Sequence, residues 1–284
     1  MDMEILNNYS FSIKRFLSAY SLCLYISILI FFQSCVKDAD VKIPAVEKKL
    51  VVVSFISPQD SLIKVAISLT QPIYNTKPST DVINNADVRI SSILGSYKLL
   101  FNPIEQKYII DSSQLKIRAG ITYTIEVNTP DGKNASGSTT IPDLNTTLIA
   151  KIERIVSTKY THTLHCIWLD NYGSEDYYKL AVQYPHYTDS LGNYYDETAY
   201  NLVSDKNYDG QTLTSNVNFS YDGLTDLYGY LLHLSQEYYL YQEKLDLSIN
   251  SSGPFSEPVQ LFTNINGGLG VFAGFNQFKI KATF

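Results

Sequence analysis

Residues 121–141 read ITYTIEVNTPDGKNASGSTTI, and their pattern decides the fold class. Ile121, Tyr123, Ile125 and Val127 alternate with Thr122, Thr124 and Glu126. A period of two places one set on one face of a strand and the other set on the opposite face. Thr129-Pro130-Asp131-Gly132-Lys133 then supplies turn residues, and an Asp-Gly pair suits the primed turns of tight hairpins. Ala135 to Ile141 returns as the partner strand, and Pro142-Asp143 closes the unit.

The same signals repeat upstream. Leu50 to Ile56 is a β run, broken by Ser57-Pro58-Gln59-Asp60. Ile63, Val65, Ile67 and Leu69 alternate with Leu62, Lys64, Ala66 and Ser68. The polar stretch from Gln71 to Asn85 reads as a loop. Val88 and Ile90 open a further strand, and residues 97–101 and 107–110 read as a pair joined through Asn102-Pro103. About seven short strands separated by turns predict an immunoglobulin-like β-sandwich over residues 47–143.

Downstream, a second β-rich domain is expected over residues 148–284. Its strands fall at 148–156, 162–169, 177–184, 199–204, 211–219 and 228–234, with a tyrosine-rich loop from Pro185 to Asp196. On the 162–169 strand Leu164, Cys166 and Trp168 share a face, which makes Cys166 a small buried hydrophobe. His162 and His165 lie three apart, so a strand sends them to opposite faces and they cannot share a metal; His162 reads as solvated. Ser235 is a helix cap with Glu237 in the first turn, predicting one inserted helix near 236–249 with Tyr238, Tyr241 and Leu245 on one face. Residues 269–275 and 277–284 read as a terminal hairpin, with Gly267-Gly268-Leu269-Gly270 as a bend or bulge before it. The fold class is therefore mainly β.

The amino terminus carries a different pattern. Lys14-Arg15 precedes Phe16 to Phe32, a run of 17 residues without charge, and Gln33-Ser34-Cys35 follows. A run of this length meets the lower limit for a spanning helix. The small residue before Cys35 and the abrupt polar switch favour a cleaved secretory signal at 1–34. Cys35 is then the lipid-bearing residue, and 35–46 a tether. Two or more acyl chains hold a protein stably to a bilayer, so a diacylglycerol and an N-acyl chain such as palmitate on Cys35 would anchor it. Lys37, Asp38 and Asp40 form a short charged run just beyond.

Removing the signal leaves about 250 residues and an unchanged net charge of −6. That charge excludes a phosphate-binding nucleic-acid surface. Of three cysteines only Cys166 then remains besides Cys35, so an intrachain disulfide staple is not expected. Tyrosine, at 23 residues, is the compositional outlier.

The carboxy-terminal third resembles a known family. Tyr238-Tyr239-Leu240-Tyr241, Pro254-Phe255-Ser256-Glu257-Pro258 and Asn264-Ile265-Asn266-Gly267-Gly268-Leu269-Gly270-Val271-Phe272 look like the signature of a Bacteroidota lipoprotein family catalogued as domain of unknown function 4249. Lys49-Leu50-Val51-Val52, Gly120 to Thr124, Thr129 to Lys133, Ser204-Asp205 and Asp209-Gly210-Gln211 fit the same pattern. The resemblance implies an outer-membrane lipoprotein, surface-exposed where the residues after Cys35 act as an export signal. It further implies an accessory or ligand-binding partner of a TonB-dependent receptor in nutrient uptake. It brings no catalytic residues. A surface hydrolase with an unrecognised site, or a structural or adhesive surface module, are the alternative readings.

Two groups are candidates for binding. Asp205, Asn207 and Asp209 stand in a D-x-N-x-D-G order that opens some calcium loops, but position twelve is Asn216 where a bidentate Glu is needed. A plain turn on Asp209-Gly210 is the favoured reading, and no cofactor is expected. Tyr187, Tyr194 and Tyr195 offer rigid amphipathic rings for a partner; most other tyrosines read as strand-face or core residues. No Gly-x-Ser-x-Gly elbow or P-loop is present.

Overall fold

The computed structural model describes residues 47–71, 81–144, 147–155, 161–188, 194–221, 227–251 and 257–281, with backbone only for 184–188 and 194–198. In chain order the elements are β1 (Leu50–Ile56), β2 (Leu62–Leu69), β3 (Asp81–Val82), β4 (Asp87–Ser92), β5 (Gly95–Asn102), β6 (Lys107–Asp111), β7 (Thr122–Asn128) and β8 (Asn134–Thr140). There follow β9 (Leu148–Arg154), β10 (His162–Leu169), β11 (Tyr177–Thr188), β12 (Tyr194–Ser204), β13 (Thr212–Phe219), β14 (Tyr228–Leu234), α1 (Gln236–Asn250) and β15 (Gly268–Lys281).

β7 and β8 pair from Thr122↔Thr140 to Asn128↔Asn134. Tyr123, Ile125 and Val127 are buried, as the alternation requires. The turn differs from the primed type. Gly132 N–H donates to Thr129 O (3.0 Å) and Thr129 N–H to Lys133 O (3.0 Å). Only Gly132 has positive φ (86°). Pro130 sets the first turn residue and Gly132 takes the left-handed one, which makes a three-residue loop with a glycine bulge.

One large sheet runs β12-β11-β14-β15-β1-β2-β6-β5-β4-β7-β8, with β3 pairing β2, and a three-stranded sheet runs β13-β10-β9. At the end of the long path β8 returns to meet the segment before β15, through the Ser136↔Asn266 bridge. This folds the first half into a sandwich-like layer around Val52, Ile63, Val65, Val88, Ile90 and Tyr123. The three-stranded sheet packs on the β11–β14 region over a second core that includes Leu164, Cys166, Trp168, Tyr178 and Leu231. The architecture is mainly β with one helix.

The terminal hairpin expected over 269–284 is instead one strand across its described part, Gly268–Lys281. β15 pairs in parallel with β1 from Leu50↔Gly268 to Ile56↔Gly274. From Phe275↔Leu234 to Lys281↔Tyr228 it pairs antiparallel with β14. Asn276 does not turn the chain. Its Nδ2 donates to Pro142 O (3.2 Å), and its Oδ1 accepts from Gln59 Nε2 (2.8 Å), so the buried amide is satisfied within a continuing strand. The first core also takes in Ile265 and Phe272 from the far end of the chain, and residues 47–284 form one compact unit. β15 is the reason: Phe272 belongs to the first core and Ile280 packs on the second.

Two glycines permit that crossing. Gly270 has φ 108°, and a Cβ there would lie 2.1 Å from Val52 O; at Gly274 it would lie 2.6 Å from Ile141 Cδ1. Side chains are excluded because β15 passes directly against backbone and core.

His162 is buried, contrary to a solvated reading. It has the same parity as Leu164, Cys166 and Trp168, so it faces the core, stacked on Phe219 at 5.6 Å. Residues 185–188 and 194–196 also differ from the expected loop: β11 and β12 pair as far as Thr188↔Tyr194, with a bulge between Pro185 and Tyr187. Among the described residues no helix is long and apolar enough to cross a membrane.

Candidate functional site

The inward register of β10 continues one step past the strand. His162, Leu164, Cys166 and Trp168 face inward, and so does Asp170, which is buried. β11 starts beside the end of β12 through Tyr177↔Ser204, which sets Asp176 next to Asp205. Three carboxylates from two turns are thereby brought together. Asp170, Asp176 and Asp205 are 4%, 8% and 1% exposed. Each offers an oxygen within 4.8 Å of the others.

The two turns are laced to each other. Asp176 N–H donates to Asp205 Oδ1 (2.9 Å), and Asp205 N–H to Asp176 O (3.2 Å). Gly210 N–H donates to Asp170 Oδ2 (2.9 Å), and Tyr178 OH to Asp170 Oδ1 (2.7 Å). Asp176 Oδ1 accepts from Ser174 Oγ (3.0 Å) and faces His233 Nε2 at 3.2 Å. Asp176 Oδ2 and Asp205 Oδ2 are buried without a hydrogen-bond partner.

Like charges this close repel by at least roughly 3 kcal/mol per pair at the effective dielectric of a protein. Burial pushes the Asp205 carboxyl up to about 6. The Asp176 N–H pulls against that rise, and the Asp170 and Asp176 carboxylates add to it. Burial, then the Asp170 carboxylate, pushes the Tyr178 hydroxyl far upward, so it serves as a donor to that carboxylate.

Asp176 and His233 also line a cleft of about 440 Å³, with Glu175, Tyr177, Gln236 and Glu237. The cleft opens at the start of α1, where Ser235 caps the helix by accepting from Tyr238 N–H (3.4 Å). His233 has both ring nitrogens engaged, Nδ1 on Asp143 O (2.6 Å) and Nε2 on Asp176. A carbonyl can only accept, so Nδ1 carries a proton. A histidine base in a nucleophile–base–acid chain keeps one nitrogen for the nucleophile; both nitrogens of His233 are held here.

The candidate D-x-N-x-D-G group, for which a plain turn is the favoured reading, is split between interior and surface. Asp205 turns inward, Asn207 and Asp209 are exposed, and Asp209 Oδ1 accepts from Gly173 N–H (2.8 Å). The partners of Asp205 are Asp170 and Asp176, far upstream, so linear spacing could not reveal them. The available signal was Asp170 at a core-facing register.

Tyr187 and Tyr195 pair across the hairpin, with Tyr194 opposite Thr188, so all three sit on strand backbone rather than in a loop. Tyr177 and Tyr178 are core residues; Tyr177 stacks on Tyr239 of α1 at 4.5 Å, and Tyr178 on His233 at 4.7 Å. Tyr238 and Tyr241 dock α1 against Phe55 at 4.6 and 5.8 Å, on the face the spacing predicts. Cys35, Lys37, Asp38 and Asp40 lie outside the described residues.

Fold and site together define a mainly β protein with two large cores joined by a shared strand, a smaller cluster of Tyr177, Ala181, Leu232 and Leu234 against α1, and a buried acidic cluster at one end of the second core. The chain belongs to the family described as domain of unknown function DUF4249, matched over residues 36–281. No curated protein matches. Among solved structures it is similar to a tetra-tandem repeat in the extending region of a large adhesion protein, at 14% identity and a TM-score of 0.22, covering 83% of this chain. This chain spans about half, 49%, of that one.

Proposed function

We propose that the chain is a non-enzymatic outer-membrane lipoprotein of the Bacteroidota, anchored through lipid on Cys35. It acts as an accessory or ligand-binding partner of a TonB-dependent receptor in nutrient uptake. The observation that carries this reading is the junction at Cys35. A basic pair, an apolar run and Ser34 lead to the cysteine, and the family match begins at the next residue, 36. A secretory signal ending there would release a mature protein made of a lipidated cysteine followed by the family domain.

The cleft beside α1 lacks a free serine–histidine pair among the described residues. Its histidine is held at both nitrogens, and Ser235 Oγ is committed to the Tyr238 and Gly274 N–H groups. Tagged full-length chain, extracted in mild detergent from its native membrane, is expected to bring down a TonB-dependent receptor, and its deletion to lower uptake of that receptor's nutrient. Recovery without any receptor, together with unchanged uptake, would overturn the proposal.

A further inference from the structure

We infer that Asp170, Asp176 and Asp205 form a calcium site that pins the β10–β11 turn to the β12–β13 turn. Three observations carry it. The three residues are each more than nine-tenths buried, with one carboxylate oxygen from each within 4.8 Å of the others. Asp176 Oδ2 and Asp205 Oδ2 are buried with no hydrogen-bond partner. Among the described residues no Lys or Arg pairs with any of the three; the imidazole at hand, His233, meets Asp176 on its other oxygen.

Buried carboxylates are paired, protonated or metal-bound. A proton shared between Asp170 and Asp205 satisfies one oxygen and leaves Asp176 Oδ2 alone. A cation serves both orphan oxygens and all three charges at once. The donor set is all oxygen, which selects a hard ion over zinc or copper. Calcium tolerates irregular, partly hydrated oxygen shells, whereas magnesium demands near-ideal octahedral geometry. The turns hold the carboxylates in place through their own backbone hydrogen bonds, so binding orders little new chain. The site shares Asp176 with the cleft beside α1 but needs neither the anchor nor a receptor, and stands without the functional reading above.

The test is thermal unfolding of the detergent-solubilised full chain, stripped with EGTA and titrated with CaCl₂, with calorimetry for stoichiometry. At a hundredfold excess over Kd, one calcium per chain is expected to raise Tm by roughly 5–10 °C. Asp205→Asn keeps the shape and removes a repelling charge. It is expected to fold with a calcium-free Tm at or above wild type, yet to lose at least tenfold in calcium affinity. Asp209→Asn, outside the cluster, should respond to calcium as wild type does. No shift with calcium, a shift with MgCl₂ alone, an equal shift in Asp205→Asn, or loss of the response in Asp209→Asn would each overturn the assignment.

Discussion

Replacing Gly270 by Ala tests how β15 is held between the two halves of the fold. Gly270 sits opposite Val52 in the parallel β1–β15 pair, at φ 108°. An alanine there meets two costs. The backbone conformation is one that L residues rarely adopt, worth about 1–3 kcal/mol. The new Cβ also falls 2.1 Å from Val52 O, so β15 must move away from β1 by about an ångström to restore van der Waals contact. That movement stretches the hydrogen bonds on either side, and each buried group left unpaired costs about 1–3 kcal/mol.

Gly132 separates the two costs. It has φ 86°, and nothing lies within 4 Å of a Cβ built on it, so Gly132→Ala incurs the conformational cost alone. Gly270→Ala is therefore expected to destabilise by about 3–5 kcal/mol more than Gly132→Ala, a large share of the 5–15 kcal/mol typical of a folded protein. Urea unfolding reports it directly, because the single tryptophan, Trp168, is 1% exposed and lies in the second core. A Gly270→Ala chain within about 1 kcal/mol of Gly132→Ala would refute the close packing of β15 on β1.

Two further outcomes are expected. Burial pushes the Cys166 thiol up to about 12, so in a chain carrying Cys23→Ser and Cys35→Ser it should resist thiol reagents at pH 8 until urea is added; prompt labelling of the folded chain would contradict the core placement. Lys179 is 9% exposed, with its ammonium 3.9 Å from the Tyr200 ring centroid and 3.2 Å from Gln242 Oε1. Burial pulls its pKa down to about 8, partly offset by Asp246. The folded value lies below the unfolded one of 10.5, so between pH 8 and 10 the unfolded chain binds more protons and this group's contribution to stability rises with pH. The stability of Lys179→Met relative to wild type should therefore fall between pH 7 and pH 9.5 in urea titrations; a pH-independent difference would contradict the burial of a charged amine.

Local pattern carried most of the strands. Alternation in 62–69 and 121–127 marked faces that are indeed buried, and Ser235 marked the helix start, because both signals depend on near neighbours. What was not legible depends on partners far along the chain. Phe278, Ile280, Ala282 and Phe284 alternate as any strand does, and nothing local distinguishes a hairpin from one strand that changes neighbours. The change rests on what Asn276 meets, namely Pro142 and Gln59. His162 was misplaced although its parity with Leu164 was visible, because a polar side chain near a strand end reads as solvated. The acidic cluster was half visible: Asp205 stood out within D-x-N-x-D-G, while Asp170 and Asp176 become its neighbours only through the β11–β12 and β10–β13 registers.

The proposed location of this chain rests on Cys35. Mass spectrometry of the amino-terminal peptide from chain purified out of its native membrane measures that residue directly. The expected result is a mature amino terminus at Cys35, carrying a diacylglycerol thioether and an N-acyl chain, with residues 1–34 absent. An unmodified Cys35 within a chain that retains residues 1–34 would contradict the lipoprotein reading and leave residues 16–32 as an uncleaved anchor.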